Sequence, residues 1–393
     1  MSSLFDTVSL GGTVHLQNRI TMGSMTRNRC VDNGKPGDEV VRLYATRAQD
    51  GAGLIIAEGI FTTFHGTDYP FAPMMFNQEH VQAWKAVTDA VHKEGGKIFF
   101  QPWHAGRVQN ESMPLLKDNA HPVLAPSNIP AAGGKYRNLP GQPGHSQDIT
   151  VIDDPKAIVD QFRHSVTLAK EAGFDGIELL SQGGYLLHNF LSSRSNTRTD
   201  SYGGNTQNRC RCTLEVLDAI IEIWGANRVG IKICPTDDLQ DSAVSHAELT
   251  ETYTYLISQL VHREIAFIDL SRRGAPGYET PNSPRPEGCE LPDTIDVLEQ
   301  FGGMIKYPGS RTKLMVNTGY TVSEAERLVT EGKIDLISFA RAFIYNPDLV
   351  SRINAGVPLS QNDRGGWVYY GPYEPADEGY NDWPLSEELA KRG

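Results

Sequence analysis

Short apolar segments of strand length recur eight times along the chain, and stretches with helical periodicity separate them. The helical stretches repeat an apolar residue every three or four positions, as Val81, Trp84, Val87 and Val91 do before the third segment. Strand and helix are therefore expected to alternate along the whole chain. The eight apolar segments are residues 20–25, 53–61, 97–103, 176–180, 229–234, 267–270, 313–317 and 336–340.

Near-continuous apolar strands that alternate with amphipathic helices are typical of a parallel sheet buried on both faces. Eight such units close naturally into a barrel. The alternative, a doubly wound sheet, usually carries a G-x-G-x-x-G turn after its first strand, whereas residues 26–29 here read Thr-Arg-Asn-Arg. We therefore predict an α/β fold, a (β/α)8 TIM barrel, as a single domain over residues 1–393.

Two segments are longer than ordinary connections between barrel elements. Residues 108–153 follow the third strand and are rich in Pro, Gly and Asn, and residues 360–393 form an aromatic-rich tail. Because the active sites of this fold lie at the carboxyl ends of the strands, we expect both segments to cover that mouth of the barrel.

The charge of the chain narrows the classes of partner. It has 36 Lys and Arg against 48 Asp and Glu, a formal net charge of −12 at pH 7. Nucleic acids and anionic membranes bind clustered Lys and Arg, so we expect neither as a partner. No segment approaches the roughly 18 consecutive apolar residues of a membrane span. We expect a soluble cytoplasmic protein, and the spacing of its five cysteines predicts no metal site.

Polar residues stand at the carboxyl ends of several apolar strands. Gln101 ends one apolar run and Lys232 interrupts another, and a buried amide or ammonium needs a partner from the protein or a ligand. The carboxyl ends of the barrel strands should form a ring around the barrel mouth, and on the sequence this ring contains one Lys and one Arg. The ends of the seventh and eighth strands are the usual phosphate site of such barrels. The residues expected to bind phosphate there are Asn317, Gly319, Ala340 and Arg341.

Four segments of the chain resemble the old yellow enzyme family of flavin-dependent ene-reductases. They are residues 18–27, 101–107, 184–204 and 340–349, and the resemblance spans nearly the whole chain. The most specific stretch, residues 196–204, reads Asn-Thr-Arg-Thr-Asp-Ser-Tyr-Gly-Gly. Met25 followed by Thr26 is similar to the fungal branch of the family. The resemblance implies non-covalent FMN across the barrel mouth, with NADPH or NADH as electron donor and an activated alkene as substrate.

The resemblance also implies roles for individual residues. Thr26 would donate its hydroxyl to the flavin C4 carbonyl, Gln101 would bond the pyrimidine edge, and Lys232 would place positive charge near flavin N1. The amides around Gly319, Ala340 and Arg341 would hold the phosphate. The expected cofactor-binding residues are Ser24, Met25, Thr26, Gly59, Gln101, Lys232, Asn317, Gly319, Ala340 and Arg341.

Tyr185 aligns with the family's proton donor. The role suits a tyrosine, because its phenol is still protonated at neutral pH and can protonate a carbon beside the one that accepts hydride. Tyr69 and Tyr370 match aromatic positions of the family's substrate pocket. Trp103 and His104 are candidates for the same pocket, although both could equally pack in the core. Oligomeric state stays open between monomer and homodimer.

The chain departs from the family at two substrate-binding positions. Leu180 and Gly183 stand where family members carry His followed by His or Asn. One donor aimed at a developing oxyanion contributes about 10²–10³ in rate. Restoring His at 180 and Asn at 183 should therefore give strong activity on a simple cyclic enone if only these donors are missing.

Three explanations of the missing donors remain open. Another donor, such as His104, Ser181 or Gln182, takes their place and the protein reduces an activated alkene. Alternatively, a roomier apolar wall suits a large apolar substrate that is reduced, oxidised or isomerised. The third possibility is a flavin-binding protein with weak ene-reductase activity. A barrel isomerase or aldolase that uses Lys232 as a Schiff base is a separate alternative.

Overall fold

The computed structural model describes residues 2–132, 144–278 and 285–391, and its central element is a closed barrel of eight strands. In chain order the strands are β1 (Val8–Leu10), β2 (Val14–Leu16), β3 (Ile20–Met22), β4 (Leu54–Phe61), β5 (Ile98–Trp103), β6 (Val123–Ala125), β7 (Ile149–Val151), β8 (Gly176–Ser181), β9 (Val229–Ile233), β10 (Phe267–Ser271), β11 (Lys313–Asn317) and β12 (Leu336–Phe339).

Helices connect and follow the barrel strands, and the longer ones cover the outside of the barrel. They are α1 (Asp38–Gln49), α2 (Gln78–Lys93), α3 (Pro114–Asp118), α4 (Pro155–Glu171), α5 (Leu186–Leu191), α6 (Thr206–Trp224), α7 (His246–His262), α8 (Val297–Ile305), α9 (Val322–Thr330), α10 (Ala342–Tyr345), α11 (Leu349–Ala355) and α12 (Glu387–Ala390). Short 3-10 turns lie at Ser3–Phe5, Phe64–Gly66, Ala226–Arg228, Leu239–Asp241 and Gly366–Tyr369. None of the helices in the described ranges is both long and apolar enough to span a membrane.

The strand order around the barrel is β3, β4, β5, β8, β9, β10, β11, β12 and back to β3, and every neighbouring pair is parallel. The predicted (β/α)8 barrel is confirmed, and each predicted apolar segment contains or closely matches one barrel strand. The strands are almost entirely buried because side chains on one face fill the barrel and those on the other contact helices.

Helix α4 illustrates how the sequence produces the outer layer. Asp154 caps its first turn by accepting a hydrogen bond from the amide of Lys156, and a proline occupies the first helical position, where no amide hydrogen is needed. Ile158, Phe162 and Val166 are spaced along one face and are buried against the barrel.

A hairpin closes the amino-terminal end of the barrel, and it was not predicted from the sequence. Strands β1 and β2 pair antiparallel, and Leu10, Val14 and Leu16 from them pack on the barrel-interior residues Phe99 and Phe267. These side chains form one apolar cluster with residues of the barrel interior, at the end opposite the carboxyl ends of the strands.

The tail reaches the carboxyl-terminal mouth and is fixed there by Arg27, which follows β3. The guanidinium of Arg27 is fully buried and donates to the carbonyls of Val368 at 2.9 Å, Tyr369 at 3.1 Å and Gly379 at 3.0 Å. The loop after β5 carries α3 and the short parallel pair β6–β7, which were not predicted. Residues 133–143 of that loop lie outside the described residues.

Candidate active site

The carboxyl ends of the barrel strands and the tail surround a large cavity. Its volume is about 910 Å³, within the roughly 300–1,000 Å³ of small-molecule sites. The tail contributes Trp367, Tyr369, Tyr370 and Tyr373, whereas the described part of the loop after β5 contributes none of the lining beyond β5 itself. The predicted site residues that line it are Ser24, Met25, Thr26, Gly59, Tyr69, Gln101, Trp103, Leu180, Tyr185, Lys232, Asn317, Gly319, Tyr370, Ala340 and Arg341.

Two predicted substrate-binding residues, His104 and Gly183, do not line the cavity. His104 is buried behind its wall, where Nδ1 accepts from the amide of Gly106 at 3.0 Å and the ring lies 5.5 Å from that of His65. Burial and the neighbouring histidines hold the pKa of His104 well below its usual value. Gly183 forms a backbone turn at φ +77° beside the cavity.

A chain of side-chain hydrogen bonds crosses the floor of the cavity. The hydroxyl of Ser24 donates to Oε1 of Gln101 at 2.7 Å, and Nε2 of Gln101 donates to Oε1 of Glu178 at 2.7 Å. Both ends of the Gln101 amide are thus oriented by protein groups. Each end keeps one further bond to offer, since an amide nitrogen has two hydrogens and its oxygen two lone pairs.

Lys232 is buried beside two carboxyl groups on the neighbouring strands β8 and β10. Its Nζ lies 3.2 Å from Oδ2 of Asp269, whose Oδ1 accepts from Asn317 at 2.6 Å. Burial lowers the pKa of Lys232, but Asp269 and Glu178 raise it by more, so the net pKa is above 10.5. Burial and the charge of Asp269 raise the pKa of Glu178 to about 8. Lys232 is therefore a fixed cation rather than the neutral amine that a Schiff base needs.

The ends of β11 and β12 form the part of the wall where phosphate binding was predicted. Thr318 and Gly319 both have positive φ, +72° and +73°, and the carbonyl of Thr318 accepts from Nε of Arg272 at 2.9 Å. The hydroxyl of Ser338 lines the cavity and has no hydrogen-bond partner among the residues that the structure describes. With the guanidinium of Arg341 on the same wall, these groups can hold an anion.

Aromatic side chains form another part of the wall, around Tyr185. The Tyr185 ring meets Trp103 edge-on at 4.4 Å, and Trp103 stacks on Phe61 at 4.4 Å. Tyr69 and Tyr370 stack at 5.5 Å. Burial and the charge of Asp68 hold the pKa of Tyr185 well above 10, outweighing the lowering effect of nearby hydrogen-bond and cationic partners. Tyr185 is therefore protonated at neutral pH.

The sequence interpretation missed Arg273, which lines the cavity together with Arg27. The expectation of a single arginine in the ring was therefore wrong. Arg273 follows β10 within two residues, and the ring predicted from the sequence does not include the end of this sixth barrel strand. Applying the same positional rule to the sequence Ser271-Arg272-Arg273 would have found it.

Comparison with known proteins identifies the family of the chain. Residues 3–360 match the NADH:flavin oxidoreductase / NADH oxidase family. The chain is 33% identical over 377 residues to a probable flavin mononucleotide-dependent alkene reductase of Leishmania infantum, and the match covers 94% of each chain.

Solved structures of old yellow enzyme relatives have the same fold as this chain. The old yellow enzyme homologue from Zymomonas mobilis superposes with a TM-score of 0.83 at 28% identity, covering 98% of this chain and 100% of that one. Morphinone reductase in complex with tetrahydroNAD superposes with a TM-score of 0.82 at 30% identity, covering 98% of each. This chain belongs to the NADH:flavin oxidoreductase / NADH oxidase family and is related to the old yellow enzymes that its sequence resembles.

Proposed function

We propose that this protein reduces the C=C bond of an α,β-unsaturated carbonyl compound, with Tyr185 as the proton donor. Family membership makes the chain an FMN-dependent NAD(P)H oxidoreductase. The observation that carries the proposal is that Tyr185, held protonated, lines one cavity together with the residues expected to bind the flavin.

The residues of the cavity fit FMN. Gln101 offers an oriented amide to the flavin ring, and Lys232 offers a fixed ammonium. Arg341 offers a cation to the phosphate, and Ser338 offers a hydroxyl that has no partner among the described residues. Bound FMN would supply the hydride, which it takes from a nicotinamide and passes to the substrate.

Tyr185 would complete the reduction on the substrate. When the β-carbon of the alkene accepts a hydride, the π electrons move toward the α-carbon and the carbonyl oxygen. The phenol O–H bond of Tyr185 then breaks, its proton forms the new C–H bond at the α-carbon, and solvent reprotonates the phenolate. Packing against Trp103 holds the ring in place for this transfer.

A second candidate is the oxidation or isomerisation of a large apolar substrate. Leu180 supports it, since this side chain lines the cavity and packs in an apolar cluster with Phe61, Met74 and Trp103. A third candidate, a flavin-binding protein with weak ene-reductase activity, predicts slow turnover with every alkene.

The test is anaerobic spectroscopy of the purified holoprotein, following the flavin band near about 450 nm. We expect NADPH or NADH to bleach the band and an activated alkene to restore it. Tyr185→Phe should slow the restoration about 10²-fold or more without slowing the bleaching. Tyr307→Phe, at a half-exposed tyrosine outside the cavity, is the matched control. Bleaching with no alkene-dependent recovery would contradict the proposal and favour the other candidates.

A further inference from the structure

Arg273 is a partly buried cation at the cavity wall, and a carboxylate fixes its position. Its Nε donates to Oδ1 of Asp237 at 3.3 Å and its Nη2 to Oδ2 at 2.7 Å. Oδ2 of Asp237 also accepts from the amide of Gly183. One carboxylate thus joins the arginine to the backbone turn that precedes Tyr185.

The pairing leaves one edge of the guanidinium available. An arginine can present two parallel N–H groups from its Nε–Nη2 edge or from its Nη1–Nη2 edge. Asp237 occupies the first edge, whereas Nη1 of Arg273 donates to none of the residues that the structure describes. The side chain lines the cavity and is 18% exposed. Nothing described here competes with a ligand for the second edge.

Arg273 lies where the family's second donor is missing. A Cβ atom built on Gly183 would be 3.7 Å from Nη2 of Arg273. The guanidinium is therefore next to the space that a side chain at position 183 would enter. Its positive charge also acts to lower the pKa of Tyr185.

The other replacement donors suggested by the sequence are weaker candidates. Ser181 and His104 do not line the cavity. Gln182 does line it, but its amide is neutral, and a charged donor forms hydrogen bonds roughly twice as strong as a neutral one.

We propose that Arg273 is the hydrogen-bond donor for the substrate's activating group, and that this group is a carboxylate conjugated to the alkene. The proposal rests on the ene-reductase function proposed above and names its substrate class. Two parallel N–H groups match the two oxygens of a carboxylate, whereas a lone carbonyl would use only one.

The chemistry of an unsaturated carboxylate requires such a cation. Hydride addition at the β-carbon breaks the π bond and moves an electron pair onto the carboxylate, which then carries a second negative charge. Arg273 stabilises this charge until the proton of Tyr185 reaches the α-carbon and restores the ordinary carboxylate. A neutral enone develops only one negative charge and depends less on the arginine.

The experiment measures ligand binding and therefore does not depend on turnover. Benzoate and its neutral analogue benzamide are titrated into the FMN-loaded protein by calorimetry and by the flavin difference spectrum. Arg273→Gln is combined with Asp237→Asn so that no buried carboxylate is left unpaired, and Arg273→Lys is a second variant that keeps the charge without the planar fork. Arg263→Gln is the control, because it removes an Arg–Asp pair of the same type, 2.6 and 3.0 Å long, outside the cavity.

We expect the wild type and Arg263→Gln to bind benzoate about 10- to 100-fold more tightly than benzamide. The double variant should lose this preference while keeping its flavin, and Arg273→Lys should retain only part of it. Equal binding of benzoate and benzamide by the wild type would overturn the inference. So would a preference for benzoate that is lost in Gln182→Leu but kept in the double variant. Carboxylate binding through Arg273 without reduction of any alkene would contradict the proposed function alone.

Discussion

Gly183 is the position at which an added side chain tests the geometry of the site most directly. The resemblance suggested that Asn at 183, with His at 180, would restore the missing donors. In the structure, however, a Cβ atom at position 183 would lie 2.8 Å from Cε2 and 3.0 Å from Cδ2 of Tyr185. Real Cβ atoms rarely approach other carbons this closely, so the Tyr185 ring would have to move.

The cost can be worked out from the same contacts. Gly183 has φ +77°, a conformation that costs a residue with a side chain about 1–2 kcal/mol, with Asn near the lower end. Displacing a catalytic group by about 1 Å can lower a rate about 10²-fold. We therefore predict that Gly183→Asn slows protonation by Tyr185 about 10- to 100-fold. Leu180→His adds a hydrogen-bond donor at a cavity-lining position that already carries a side chain, and it should instead speed the reduction of a neutral enone.

The assay is anaerobic stopped-flow reoxidation of the reduced flavin by 2-cyclohexenone. Gly183→Ala is the matched control, since it adds the same Cβ atom without a hydrogen-bond donor. Both variants at 183 should be slowed in reoxidation but not in reduction by NADPH. Reoxidation by Gly183→Asn that is as fast as in the wild type would refute the argument, because it would show that Tyr185 accommodates the added atoms.

Three further predictions concern the groups around the cavity. Lys232→Met leaves Asp269 buried without its cationic partner and should lower the free energy of unfolding by about 3–5 kcal/mol. The double variant Lys232→Met with Asp269→Asn should recover most of this loss, as measured by thermal unfolding. Glu178 has a folded pKa of about 8 against an ordinary 4.5, so its contribution to stability is present below about pH 4.5 and is lost as the pH rises through 8. In urea unfolding, Glu178→Gln should therefore gain stability relative to the wild type between pH 5 and 8. Arg27→Met removes three hydrogen bonds to the tail and should speed its cleavage in limited proteolysis of the holoprotein, and an unchanged cleavage rate would show that other contacts hold the tail.

The barrel could be predicted because its strands lie in apolar segments that helices separate at regular intervals. Strand β8 shows this, since six consecutive residues are buried and the segment was recognisable from its apolar run. The strands β1, β2, β6 and β7 have three residues each, and unlike the equally short β3 they lie outside the apolar segments that mark the barrel. Their positions depend on packing against the barrel, which a single sequence does not reveal.

The direction of side chains explains most of the site. Successive side chains of a strand point to opposite faces. Gln101 and Trp103 on β5 line the cavity, whereas His104, one position further on, faces the histidines behind the wall. In the same way, Leu180 and Gln182 line the cavity, whereas Ser181 between them does not. This alternation could have removed His104 from the predicted set, because Gln101 already fixed which face of β5 looks inward.

Arg273 could be found by position, but its role could not. The sequence places an arginine after the sixth barrel strand, while only the fold brings Asp237, from the loop after β9, within 2.7 Å of it. Lys232 is similarly matched with Asp269. Each of the two cations therefore has its own carboxylate, which offsets the cost of taking the cation out of water. The carboxylate also fixes the direction in which the cation donates to a ligand. A donor fixed in this way is suited to stabilising charge that develops during a reaction, because no reorganisation is needed at that moment.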